Sequence, residues 1–248
     1  MSVPAVELAP RLAPPSPGIG IVAPFDLALD RELWRWTPEP VSLYLTRTAH
    51  LDVPVSVGMA EALGDAEALA AACREVSIAG PGVTAYLCTS ASFVGVLAGE
   101  ARLRAAMERD GARRAITTSG AMLEALRALG VRRVAVATPY DAALTDRLVA
   151  FLDEAGIAAT GVGYLGMGED IWRVEADSVR ELARAIPRES AEAVFLSCTN
   201  LPTYDVIPGL EAELDLPVLS ANLVTLWAAL RELGALPTGR PERLFGTR

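Results

Sequence analysis

The 248-residue sequence predicts an α/β fold made of two similar lobes, each a parallel sheet covered by helices, with a cleft between them. Three observations predict it. Short β-branched runs alternate with longer stretches of helical period, the pattern of strand-helix-strand units. Apolar residues make up 52% of the chain, enough to bury a sizeable core. Segments of the first half also recur, in the same order, in the second half, and such self-similarity reports duplicated architecture.

Taken in order, residues 1–17 are rich in proline, lack an apolar core behind a basic start, and read as a flexible arm rather than a secretory signal. Strands are predicted at 18–23, 41–46, 83–87 and 114–117, giving a first lobe over residues 18–118. A helix at 119–130 follows, with Met122, Leu123, Leu126 and Leu129 at helical spacing and Gly130 where a left-handed C-cap belongs. Strands at 133–137, 157–164, 193–197 and 217–219 give a second lobe over residues 131–220. The helix at 221–234 repeats the closing pattern with Leu226, Leu230, Leu233 and Gly234. Either closing helix can pack across the lobes, and residues 235–248 form a C-terminal tail.

Three pairs of segments carry the internal repeat. Ala23-Pro24-Phe25-Asp26 matches Thr138-Pro139-Tyr140-Asp141 after the first strand of each lobe. Tyr86-Leu87-Cys88-Thr89 matches Leu196-Ser197-Cys198-Thr199 at the end of a later strand, so the two cysteines occupy equivalent places. Ser119-Gly120-Ala121-Met122-Leu123 is paired with Ser220-Ala221-Asn222-Leu223-Val224 at the start of each closing helix. Open parallel sheets bind ligands beyond the carboxyl ends of their strands, so Cys88 and Cys198 are expected to face each other across the cleft.

Composition excludes several classes of chemistry. A net charge of -9 argues against nucleic acid or an anionic membrane as partner. All 22 basic residues are arginine, which removes a Schiff-base lysine and a P-loop lysine together. The single histidine, His50, makes a serine triad or a multi-histidine metal site improbable, and no metal or organic cofactor is expected. Three scattered cysteines do not make a disulfide scaffold, and no apolar run is long enough to span a bilayer, so a soluble protein of the reducing cytoplasm is expected.

What remains is thiol chemistry. A cysteine at a strand tip before a helix sits near backbone N–H groups and the positive end of the helix, which is expected to lower its pKa. The alternative is a small buried hydrophobe; that is the reading for Cys73, which lies in an Ala-rich amphipathic helix. Thr89, Ser90 and Ser92 in one lobe and Thr199 in the other suit an anion such as a carboxylate. Two opposed thiols could racemise a carbon acid by removing a proton from one face and returning one to the other. They could equally add to an activated double bond, let it rotate, and leave. Either route builds negative charge on the carboxylate, to be held by Thr89, Ser90, Tyr140 and N–H groups near Thr199 and Asn200. A non-catalytic carboxylate-binding protein is the rival from another class.

Cys-Thr-Ser-x-Ser at 88–92, Ser-Cys-Thr-Asn at 197–200 and Thr-Pro-Tyr at 138–140 together resemble the aspartate/glutamate racemase superfamily, in its maleate cis-trans isomerase and arylmalonate decarboxylase group. The resemblance runs over nearly all of the chain after Pro17. It implies two Rossmann-like lobes, no cofactor, catalytic roles for Cys88 and Cys198, and substrate-carboxylate contacts from Tyr140, Thr89, Ser90 and the turn at Thr199. Decarboxylases of the group have glycine at the first cysteine position, so retention of Cys88 argues for isomerisation. The sequence departs from the isomerases where they carry Ser-Ser-Asn and it carries Pro24-Phe25-Asp26; a second asparagine is replaced by Glu169 or Asp170. A carboxylate cannot bind a substrate carboxylate unless protonated. Asp26 could instead hold a substrate amine, as in the similar branch of ectoine utilisation, or cap the following helix.

Other features carry less. His50 and Arg47 are expected at the surface near the mouth of the cleft. Trp34, Trp36 and Trp172 are expected in the core or in contacts within a homodimer or larger homo-oligomer. Gly161, Gly163, Gly166 and Gly168 read as a mobile loop over the cleft.

Overall fold

A computed structural model describes residues 17–239 and 242–247. The arm expected at 1–17 lies outside the described residues except for Pro17, as do residues 240, 241 and 248 of the tail. The first half runs β1 (Gly18–Ala23), α1 (Asp30–Trp36), β2 (Ser42–Arg47), α2 (Val57–Leu63), α3 (Ala66–Ser77), β3 (Val83–Tyr86), α4 (Thr89–Phe93), α5 (Val96–Arg109), β4 (Ala115–Thr117) and α6 (Thr118–Ala128). The second half runs β5 (Arg133–Thr138), α7 (Ala142–Glu154), β6 (Ala158–Tyr164), a 3-10 turn at Ile171–Arg173, α8 (Ala176–Ala185), β7 (Ala193–Leu196), α9 (Ile207–Leu214), β8 (Val218–Ser220), α10 (Ala221–Glu232) and a 3-10 turn at Arg243–Gly246.

The strands form two parallel four-stranded sheets, ordered β2-β1-β3-β4 and β6-β5-β7-β8. The orders superimpose strand for strand, as the internal repeat requires. Central strands are almost wholly buried because helices cover both faces: every residue of β1, β3 and β7 is buried. The outer strands β2 and β6 alternate in exposure along part of their length. Gly161 and Gly163 therefore belong to β6 and not to a loop. A Cβ on Gly161 would run into the Pro187 carbonyl and one on Gly163 into Ile186, so these glycines let the chain after α8 pack against the strand.

Both lobes end alike. Thr117 caps α6 by accepting from Gly120 N–H, and Ser220 caps α10 by accepting from Leu223 N–H. Thr117 and Ser220 are thus the equivalent residues, which corrects the expected pairing by two positions: Ser119 matches Asn222, not Ser220. At the other end Gly130 and Gly234 take φ of 71° and 65°, where a left-handed C-cap favours glycine. Helix α10 is buried from Ala221 to Leu230 and packs on α6, α1 and β3 of the first half as well as on β8. One apolar core consequently runs through both sheets. Among the described residues no helix is long and apolar enough to cross a membrane.

Candidate active site

The carboxyl ends of β1, β3, β5 and β7 converge on one small pocket. Its lining includes Cys88, Thr89 and Ser90 after β3, Cys198, Thr199 and Asn200 after β7, Tyr140 after β5 and Asp26 after β1. Val55, Met59, Leu63 and Ile171 supply apolar walls. Both cysteines are free, and the symmetry of the sheets brings them to one space as expected. Cys73, buried in α3, is not among the lining residues.

The two thiols are held differently. Cys88 has extended backbone and precedes α4, with Sγ 3.9 Å from Ser90 Oγ. Cys198 has φ of 85°, a left-handed conformation that costs a non-glycine residue on the order of 1 kcal/mol. Its Sγ accepts from Asn200 N–H at 3.4 Å. The expected lowering of thiol pKa is not what the structure gives. Burial pushes the Cys88 thiol up to about 11, ahead of the lowering effect of the Ala91 N–H, and the Asp26 carboxylate adds to the rise. Burial likewise pushes Cys198 up to about 12, ahead of the Asn200 N–H, with Asp26 again raising it. The first helix beyond Cys88 has only five residues, so its dipole is too small to offset desolvation.

Tyr140 is buried against both cysteines, with Ser197 Oγ donating to its Oη at 3.4 Å, and burial raises its pKa well above the usual phenol value. Thr89 Oγ1 is buried with no hydrogen-bond partner, although a buried hydroxyl left unmade costs about 1–3 kcal/mol. Thr199 spends its hydroxyl on Leu87 O at 3.3 Å, tying the second-lobe turn to the first sheet. Asn200 spends its amide on the β1–α1 loop: Oδ1 accepts from Ala28 N–H at 2.8 Å and Nδ2 donates to Asp26 O at 3.0 Å. Ser92 lies behind the cavity, within 2.8 Å of Cys88 O and 2.7 Å of Ser119 Oγ.

Asp26 caps nothing, because α1 begins four residues later after Leu29. Its carboxyl lies at the mouth of the cavity, where burial raises its pKa against the lowering effects of hydrogen bonds and of Arg47. Arg47 donates to Leu27 O at 2.6 Å and so fixes this loop. Asp170 does not join the group. It stands in an outer vestibule with Trp172 and exposed His50, paired to Arg173 at 3.1 Å. Vestibule and cavity share Asp26, Val55 and Met59, and Val55 N–H donates to Gly168 O at 2.7 Å where the two lobes meet above the thiols.

The sequence and the fold are shared with known enzymes. The sequence profile of arylmalonate decarboxylase matches residues 57–242. The chain belongs to the arylmalonate decarboxylase family. It is 37% identical to an arylmalonate decarboxylase of Bordetella bronchiseptica over 180 residues, 69% of this chain and 74% of that one. It is 30% identical to a maleate isomerase of Nocardia farcinica over 175 residues, 67% of this chain and 69% of that one. Among solved structures, a cysteine-to-serine variant of the Nocardia farcinica maleate cis-trans isomerase, carrying a covalently bound succinylcysteine intermediate, superimposes with a TM-score of 0.83 at 25% identity, covering 92% of this chain and 98% of that one. Like these relatives, the chain is an enzyme, and of the isomerase or decarboxylase type.

Within the family fold, several residues around the site carried no signal in the sequence. Tyr86 is fully buried at the end of β3, donates to Leu63 O at 2.7 Å and contacts the Cys88 thiol. Glu32 and Asn222, far apart in the chain, meet behind the Cys198 turn at 3.0 Å. Helical spacing marked neither, since a buried polar residue is visible only through the partner the fold brings to it. Among the described residues no group of three or more His, Cys, Asp or Glu is arranged to hold a metal.

Proposed function

We propose that this enzyme is a cofactor-independent isomerase of a small carboxylic acid, of the maleate cis-trans isomerase kind, with Cys88 and Cys198 acting on opposite faces of the substrate. The observation that carries the reading is the shared cavity, in which two free thiols flank a buried, unpartnered Thr89 hydroxyl. One cysteine gives up its thiol proton to solvent and adds as thiolate to a carbon of the conjugated double bond, and the π electrons move onto the carboxylate. The new single bond rotates, the electrons return, and the carbon–sulfur bond breaks to release the thiolate. Thr89 Oγ1, Ser90 Oγ, Tyr140 Oη and N–H groups of the two turns hold the developing charge, each worth about 3 kcal/mol or roughly a hundredfold in rate. The succinylcysteine in the Nocardia farcinica enzyme supports the covalent step. Retention of Cys88 favours isomerisation over the decarboxylation named for the Bordetella bronchiseptica relative. Both sulfurs must stay reduced, which fits the cytoplasm.

Racemisation is the second reading, favoured by Asp26: a carboxylate at the mouth suits a substrate amine better than a second carboxylate. The experiment is a screen of maleate, amino acids and N-acyl amino acids by proton NMR and chiral chromatography, run in H2O and D2O. Addition and rotation give a product without solvent deuterium, whereas racemisation labels the α-carbon. Cys88→Ala and Cys198→Ala are each expected to abolish turnover while Cys73→Ala keeps it. Equal activity in all three variants overturns the two-thiol reading.

A further inference from the structure

The Cys198 turn is shaped from the opposite lobe. Helix α1 carries Glu32, whose carboxylate is buried and collects donors from two places in the second half. Oε1 accepts from Thr203 N–H and, at 2.9 Å, from Tyr204 N–H; Oε2 accepts from Thr203 Oγ1 and from Asn222 Nδ2, each at 3.0 Å. The same Asn222 amide donates to Thr199 O at 3.0 Å, one residue beyond Cys198. Just upstream of α1, Asp26 O and Ala28 N–H hold both ends of the Asn200 amide. Residues 26–32 therefore grip parts of 199–204, and immediately before that segment sits the one cysteine with left-handed backbone. A strained conformation persists only where its surroundings over-determine it. The equivalent turn of the first lobe is tied more locally: Ser119 Oγ donates to Thr89 O at 3.1 Å in the place of Asn222, and Leu87 O accepts from Thr199 Oγ1 across the lobes.

We infer that Glu32 is a positioning residue for the Cys198 thiol, acting through Asn222 and the Thr199 carbonyl, so that docking of α1 from one lobe sets the reactive group of the other. The inference rests on the two-thiol reading for its meaning in catalysis, but its geometry can be tested without turnover. Glu32→Gln keeps the volume and leaves an oxygen for the Thr203 and Tyr204 N–H groups. It replaces the other oxygen by an NH2 group, which confronts the Asn222 amide donor with a second donor. A charge-assisted acceptor is lost at one point in the network.

The probe is iodoacetamide, with the alkylation of each cysteine followed by peptide mass spectrometry in the full-length chain. Glu32→Gln and Asn222→Ala are each expected to change the labelling rate of Cys198 by about tenfold or more, the scale of one lost buried hydrogen bond, and that of Cys88 by less than about twofold. Glu100→Gln serves as control, a buried carboxylate on α5 bonded to Thr117 and Arg104 and outside the cavity lining; it should move neither rate. Because both rates come from one molecule, general loosening registers as a parallel rise at both thiols. A parallel rise, or no change at Cys198, overturns the assignment. Once a substrate is in hand, Glu32→Gln should lower kcat with KM held within about threefold, as expected for a misplaced reacting group; a loss confined to KM also overturns it. If the screen finds no substrate while the labelling ratio shifts as expected, the positioning role stands and the isomerase reading falls.

Discussion

In the first lobe Cys88 sits at φ -138° and ψ 110° and opens a helical turn; in the second, Cys198 sits at φ 85° and opens none. The strands leading to them are equivalent, yet the scaffolding behind each turn differs in range. Around Cys88 it is mostly local to one lobe, since Ser92 and Ser119 tie the turn to the start of α6 and the cross-lobe tie is made by Leu87 O to the Thr199 hydroxyl. Around Cys198 it crosses the molecule, through Thr199 to Leu87, Asn200 to the β1–α1 loop and Asn222 to Glu32. A duplicated fold thus supplies two thiols at matched positions without making them equal: one rests in relaxed backbone, and the other is held in a conformation that other elements must enforce.

The sharpest way to break this comparison is to put glycine at both sites. Glycine tolerates the left-handed region at no steric cost, but in extended backbone it only adds chain entropy to the unfolded state. Cys198→Gly should be more stable than Cys198→Ala, and Cys88→Gly less stable than Cys88→Ala. The two differences together should come to about 2 kcal/mol in urea unfolding. Shifts of the same sign at the two positions would show that the strain at Cys198 is not stored in its backbone.

Legibility in the sequence follows the same division between local and distant. All eight strands lie within one residue of their predicted ends, because central parallel strands are short apolar runs bounded by polar or glycine residues. The equivalence of Cys88 and Cys198 was also legible, since both follow the end of an equivalent strand by two residues. The protonation of the thiols was not. A strand tip before a helix predicts a lowered pKa, but the size of the desolvation opposing it depends on how tightly Met59, Leu63 and Ile171 close the cavity. Nor could sequence separate a hydroxyl or amide that faces the cavity from one used as a tie. Thr89 Oγ1 is left without a partner, whereas the Thr199 hydroxyl and the Asn200 amide are spent on the opposite lobe. The glycines at 161 and 163 read both as strand and as loop, two incompatible readings, because their real role, admitting Ile186 and Pro187 against β6, is a tertiary contact.

The paired Pro-x-Asp segments sharpen the comparison at smaller cost. Asp141 caps α7, its Oδ1 accepting from Leu144 N–H at 2.8 Å. Asp26, at the matching position, caps no helix because α1 starts later. Asp141→Ala should therefore cost about 1 kcal/mol in unfolding free energy and leave thiol labelling unchanged. Asp26→Ala should show no loss of that kind. Equal losses at the two sites would mean that the β1–α1 loop depends on its aspartate in a way its hydrogen bonds do not show.

The smallest expected effect belongs to Asp26→Asn, which keeps the shape and removes the charge. Burial raises the folded-state pKa of Asp26 above its usual 3.8. A carboxyl raised in this way contributes its stability below the unfolded value and loses it as pH rises through the folded one, so at neutral pH its charge is a net cost. The variant should accordingly match the parent near pH 3.8 and gain on it toward neutrality. Solvent still reaches the carboxylate, which limits the gain to roughly a few tenths of a kcal/mol. The same charge raises both thiols, so the alkaline rise in iodoacetamide labelling should begin at lower pH for Cys88 and Cys198 alike. Cys73 provides the internal standard: its thiol is pushed up to about 12 by burial and then by Asp110, with no contribution from Asp26. A profile that moves for Cys73 as much as for the other two would place the effect in the fold at large rather than in the cavity the two lobes share.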